Sequence, residues 1–132
     1  MERKIKSKIA QLSYDEKESI LHVEIEEDAD MSLENLKEHY STIERITNGQ
    51  SYFALINAQN LYTIEWDGLE YSSRKEAFGN RLAAAYCSPP LANRLNINYL
   101  KLVHNIAIPI NIFPTRQLGL SWLNELRGKA KQ

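Results

Sequence analysis

The run LAAAYC, Leu82–Cys87, decides how this chain folds. Alanine favours helix, so propensity alone allows either state. The run is short, and it sits between two breakers, Gly79-Asn80 and Ser88-Pro89-Pro90. It fits a strand covered on both faces better than a helix. Upstream, YFALI in Tyr52–Asn57 is a second apolar run without alternation and takes the same reading. Two such runs separated by a polar, helix-like segment point to parallel strands joined by crossovers.

The rest of the chain extends that pattern in both directions. Ile5 to Leu12 reads as a weak strand. In Ile20–Ile25 the apolar Leu21, Val23 and Ile25 alternate with His22 and Glu24, as in a strand buried on one face. The polar SYDEKES between them is a turn, so these two segments form a hairpin. After the acidic EEDAD, Ser32 is an N-cap, with Glu34 near the positive end of the dipole. Leu33, Leu36, Tyr40 and Ile43 mark one helix face, and Asn48-Gly49 closes the helix. A short helix is expected from about Gly68 to Phe78. Ser88-Pro89-Pro90 opens a third, with Leu91, Leu95, Tyr99, Leu102 and Val103 as its apolar stripe. Pro109 to Phe113 is a last short strand. Pro114-Thr115 then starts a fourth helix, whose core face is Leu118, Trp122, Leu123 and Leu126. The expected fold is α/β in the order ββαβαβαβα. It has a mixed, mostly parallel five-stranded sheet, about four helices and one domain over residues 1–132.

Bulk composition excludes several functions. The chain has 132 residues, enough for a core without metals or disulfides. Its formal net charge of -1 argues against a general nucleic-acid binder. Lysines and arginines concentrate only near the two ends, where they read as solvated termini. Cys87 is the single cysteine, so no internal disulfide forms. No apolar run is long enough to cross a bilayer, and the charged start does not resemble a signal peptide. The chain reads as a soluble cytoplasmic protein.

Chemistry-bearing motifs are sparse. There is no Gly-rich phosphate loop, no nucleophile elbow and no HExxH. His22 falls on a strand's polar face, His39 on a polar helix face and His104 near a helix end, with no metal-ligand spacing among them. Cys87 reads as a buried, inert thiol. Of the helix starts, only Thr115-Arg116 suits an anion, and the role of Thr115 as a plain N-cap is the favoured reading. Neither a cofactor nor a metal is expected.

The junction TIEWDGLEYSSRK, Thr63–Lys75, carries the densest cluster of polar and aromatic residues. Structurally, Asp67 as N-cap and Glu70 three residues on make a capping box. Trp66, with Tyr62 and Tyr71 close by, either caps the core or anchors an interface.

The order of elements and the junction L-Y-T-I-E-W-D-G-L resemble the STAS domain, in particular its SpoIIAA-like bacterial group. Those domains carry an apolar-Asp-Ser-Ser/Thr-Gly-Leu turn between strand and helix. Ile64 matches the apolar position, Glu65 the acidic one, and Gly68-Leu69 the Gly-Leu pair. In the anti-sigma-factor antagonists of that family a kinase-like regulator phosphorylates the hydroxyl before the glycine. Here Asp67 occupies that position and Trp66 replaces a small polar residue. The stretches AAAYCSPP, IPINIFPT and LSWLNEL resemble small STAS-like proteins as well, so the likeness runs from about Ile20 to Leu126.

The resemblance implies a non-catalytic regulatory or protein-interaction module. Its partner surface is Tyr62, Glu65, Trp66, Asp67 and Glu70. Its partner is a protein, such as a kinase-like regulator, or a second copy in a homodimer. Asp67 then either imitates a phosphorylated residue in part or marks a constitutive binder, and the bulk of Trp66 favours the second. The alternative is a small-ligand or lipid carrier of related fold, with Tyr86, Tyr99 and Trp122 lining its pocket. An enzyme built on Glu65, Asp67 and Glu70 is the third reading, and no nucleophile or cofactor loop supports it.

Overall fold

A computed structural model describes residues 2–103 and 106–130. His104 and Lys131, together with the side chain of Val103, lie outside the described residues.

β1 (Glu2–Lys6) and β2 (Ala10–Asp15) pair antiparallel, as do β2 and β3 (Ile20–Ile25). The weak strand expected from Ile5 to Leu12 is therefore two strands with a turn between them. Ser7 makes that turn. Its buried hydroxyl oxygen accepts from the amides of Ile9 (3.3 Å) and Ala10 (3.1 Å).

Downstream, β3 pairs parallel with β5 (Tyr52–Asn57), β5 with β7 (Arg81–Cys87), and β7 with β8 (Ile110–Phe113). The main sheet is mixed and six-stranded, in the order β1-β2-β3-β5-β7-β8. Two three-residue strands missed in the sequence, β4 (Ala29–Met31) and β6 (Tyr62–Ile64), form a separate parallel pair. The five-strand expectation is corrected accordingly.

Among the described residues, five helices replace the expected four. α1 (Leu33–Thr47) begins at Ser32, whose side chain accepts from the Asn35 amide, and ends at Asn48, which is left-handed with φ 55. The helix expected from Gly68 to Phe78 is α2 (Trp66–Ser72) followed by α3 (Lys75–Phe78). The break falls where Ser73 Oγ donates to the Glu70 carbonyl and Arg74 turns extended. α4 (Leu91–Val103) and α5 (Arg116–Ala130) complete the set. Thr115 caps α5, accepting from the Leu118 amide at 3.2 Å.

Because each parallel strand is added on the same side of the last, right-handed crossovers keep their helices on one face of the sheet. The larger core forms there, between α1, α4 and the residues Leu21, Val23, Ala54, Ile56 and Ala84. The opposite face of β5 and β7, with Phe53, Leu55, Ala83 and Ala85, packs against α5 through Leu123, with Leu120, Trp122 and Leu126 around it. Period-two alternation explains why both faces of YFALI and LAAAYC are apolar. Within the expected core face of α5, Leu123 is fully buried, Trp122 and Leu126 are partly so, and Leu118 stands 50% exposed. Gly119, one step around the helix, makes the close approach that Leu118 was expected to make.

Candidate functional site

The junction after β6 is less symmetrical than a capping box. Glu65 is the N-cap of α2, and its side chain accepts no capping hydrogen bond. Asp67 sits two residues past the cap, inside the first turn, where it still stands near the positive end of the helix. Glu70 does not reach back to the cap. It pairs with Arg74, which also holds Glu76. Gly68 explains the tight seat of α2, because a Cβ there would stand 3.0 Å from the Met31 carbonyl, Leu36 and Ile64.

The five residues expected to form one partner surface are divided. Glu65, Trp66 and Asp67 are exposed and adjacent; Glu70 is half-buried in its ion pair; Tyr62 is half-buried and packs against the core. Burial raises the Tyr62 hydroxyl well above the ordinary tyrosine range, so it stays protonated. Trp66 remains 55% exposed while its ring meets the edge of Tyr99 on α4 at 5.6 Å.

That contact leads to the largest departure from the sequence reading. The apolar stripe expected to bury α4 points the other way. Leu91, Leu95 and Leu102 are 60%, 60% and 83% exposed. The buried face is Asn93, Ile97 and Leu100. Asn93 takes a core position because its Nδ2 donates to the carbonyls of Ala58 and Asn60, both at 2.8 Å, tying down the loop before β6. At about 100° per residue the three leucines fall within an arc of about 40°. Tyr99 flanks them on the α2 side. Lys101, bonded to Asn111 at 3.2 Å, flanks them on the β8 side, where Arg94 also lies.

Beneath α1, α2 and α4 lies a cavity of about 60 Å³. Its walls are mostly apolar, among them Val23, Ile25, Ile56, Ile97 and Leu100. Its polar lining includes Arg81, His39, Tyr40, Tyr62, Tyr86 and Ser72. Of the three aromatics expected to line a pocket, Tyr86 does; Tyr99 lies outside on Trp66, and Trp122 packs on Phe113 across the sheet.

Arg81, the first residue of β7, is 6% exposed. Its Nε donates to the Tyr52 hydroxyl at 3.2 Å, and its guanidinium lies 5.6 Å from the ring centres of Tyr40 and Tyr52. The sequence hint was available: an arginine directly before an all-apolar strand, after a Gly-Asn breaker.

His39 corrects another expectation. It is 6% exposed, not on a polar face, and its Nδ1 lies 2.8 Å from Ser7 Oγ. Burial first, and the nearby Arg81 charge second, hold its pKa at about 3, so the ring is neutral. Cys87 is buried, and burial pushes its thiol up to about 11. His22 lies beside Arg116, whose Nη2 is 3.0 Å from its Nδ1 at the rim of an open concavity of about 590 Å³ on the uncovered sheet face. Among the described residues no three His, Cys, Asp or Glu side chains converge as metal ligands would. No helix among them is long and apolar enough to cross a membrane.

The family described as "Domain of unknown function (DUF7793)" matches residues 14–127. The chain belongs to the DUF7793 family. The match begins inside β2 and spans the α2 junction, Arg81 and all of α4; β1 and Ser7 precede it, and α5 runs three residues past it. No curated protein and no solved structure matches the chain.

Proposed function

We propose that the chain is a non-catalytic, STAS-like interaction module that docks through the outer face of α4 and the start of α2, first of all onto a second copy of itself. The carrying observation is the outward row of Leu91, Leu95 and Leu102 beside the exposed Trp66. Three leucines in one narrow arc cost solvation in a monomer and form a seam when paired.

Two features favour a copy whose α4 runs parallel. The stripe has an acidic edge, Glu65 and Asp67 at the Trp66–Tyr99 contact, and a basic edge, Arg94 and Lys101 towards β8. A two-fold axis along the helix lays acid over base; an axis across it lays acid over acid. In addition, Leu91, Leu95, Asn98 and Leu102 follow a four-three-four spacing, with Asn98 exposed. In a parallel pair Asn98 meets its own copy and both amides bond. In an antiparallel pair it would meet Leu95, leaving a buried amide unsatisfied.

The STAS-like part of this reading rests on the Gly68-Leu69 match and the confined seat of Gly68. Asp67 supplies a permanent carboxylate where a phosphorylated hydroxyl would stand, which favours constitutive docking over a kinase-driven switch.

Sedimentation equilibrium of wild type and Leu95→Glu tests the proposal. Wild type should be dimeric at micromolar concentration and the variant monomeric, with an unchanged circular dichroism spectrum. A monomeric wild type, or a variant that dimerises equally well, would sink it.

A further inference from the structure

Arg81 brings a full positive charge into the interior without a matching negative one. Among the described residues no carboxylate pairs with it; its neighbours are the phenols of Tyr40, Tyr52 and Tyr86. A guanidinium does not neutralise itself by losing a proton. Two tyrosine faces offset part of its desolvation, but an uncompensated buried charge remains expensive.

The groups around it offer donors and carry no negative charge. Ser7 Oγ accepts the amides of Ile9 and Ala10; its proton has two acceptors in reach, the Ala10 carbonyl at 3.3 Å and His39 Nδ1 at 2.8 Å, and the shorter contact points to the imidazole. That leaves the His39 Nε2–H as a donor on a residue lining the cavity. Tyr86 is held protonated, burial pushing it up to about 12. Tyr62 and Tyr40 add further hydroxyls, and no Asp or Glu lines the space. A cavity with one cation, several donors, no anion and apolar walls is complementary to a small organic anion.

We infer that this cavity is a binding site for a small monocarboxylate, its carboxylate against the guanidinium of Arg81 and its short hydrocarbon tail along Ile97 and Leu100. Nε is occupied by Tyr52 and the guanidinium also bonds the Tyr86 hydroxyl, so a carboxylate takes the N–H groups that remain on the terminal nitrogens. A single positive charge suits a monoanion; a phosphate dianion would exchange one buried excess charge for another. About 60 Å³ accommodates a group of a few heavy atoms, not a full acyl chain. The site is separate from the α4 seam, so Leu95→Glu should bind the ligand as wild type does, and either proposal can fail without the other.

The test is thermal unfolding with sodium acetate, butyrate and octanoate at matched ionic strength, with butyramide as the uncharged control. A parallel titration would follow the Arg81 Nε–H resonance. Butyrate should raise Tm by about 5 °C at ten times its Kd and move the Nε–H signal, and butyramide should do neither. Arg81→Met should abolish both effects. Ile97→Phe, which fills the cavity and keeps the charge, should abolish them too and serves if Arg81→Met does not fold. No shift with any carboxylate, an equal shift with butyramide, or undiminished binding by Ile97→Phe overturns the site. A response to octanoate alone overturns the size assigned to the ligand.

Discussion

Gly119 of α5 faces Cys87 of β7 so closely that a Cβ at position 119 would stand 2.7 Å from the cysteine sulfur. Ala85 and Leu55 would be met at 3.3 Å each. This one residue without a side chain sets how near α5 lies to the sheet. Gly119→Ala improves helix propensity by about 1 kcal/mol yet overpacks the contact, so a net loss of about 1–3 kcal/mol is expected. Urea denaturation measures it. Adding Cys87→Ala removes the worst contact and should recover part of the loss; a double variant no better than the single would refute the account.

The same packing makes Cys87 unreactive. With a thiol pushed up to about 11 and a buried sulfur, thiolate is scarce at pH 8. Alkylation by iodoacetamide should be at least ~100-fold slower in the native protein than in denaturant. Rapid native labelling would show that α5 lifts off the sheet readily.

Acid should loosen the larger core through His39. Its folded pKa, about 3, lies below the unfolded value near 6.5, so between those limits the unfolded chain binds the extra proton. The neutral ring's contribution is complete above about pH 6.5 and declines as pH falls towards 3. At full effect the slope is about 1.4 kcal/mol per pH unit. Arg81 repels the incoming proton, and Ser7 offers it no acceptor beyond the bond already made. His39→Gln should flatten this part of the stability profile. A wild-type profile with no such slope above pH 4 would contradict a buried neutral histidine.

Arg81 invites a further measurement on the ligand-free protein. If its charge serves binding, removing it should not harm the fold. Arg81→Met keeps most of the stem and loses two ring contacts, and its stability should lie within about 1 kcal/mol of wild type or above it. A loss of several kcal/mol would make Arg81 a structural residue.

Local patterns in the chain identify β3, α1, β5, β7 and the start of α5, because each combines a clear periodicity or apolar run with a cap or breaker of its own. They do not show which side of α4 faces inward. A helical wheel finds the leucine stripe, but Asn93 outcompetes it for the interior by satisfying two loop carbonyls some 35 residues earlier. The same limit hides His39, whose partner Ser7 is distant in sequence. Likewise, pairing of β6 with β4 fixes where α2 begins, so Glu65 becomes the N-cap in place of Asp67. Of the expected surface, Glu65, Trp66 and Asp67 stay outside together. Tyr62 turns inward because β6 is only three residues long and rests on the core.

The helix on the second sheet face has a consequence for synthesis. Phe53, Leu55, Ala83 and Ala85 emerge from the ribosome well before α5 does. Until Leu123 arrives, a nascent chain with β1 to β7 in place shows an apolar strip to solvent. Chaperone capture should therefore peak on chains whose emerged part ends between Cys87 and Thr115, and subside once α5 is exposed.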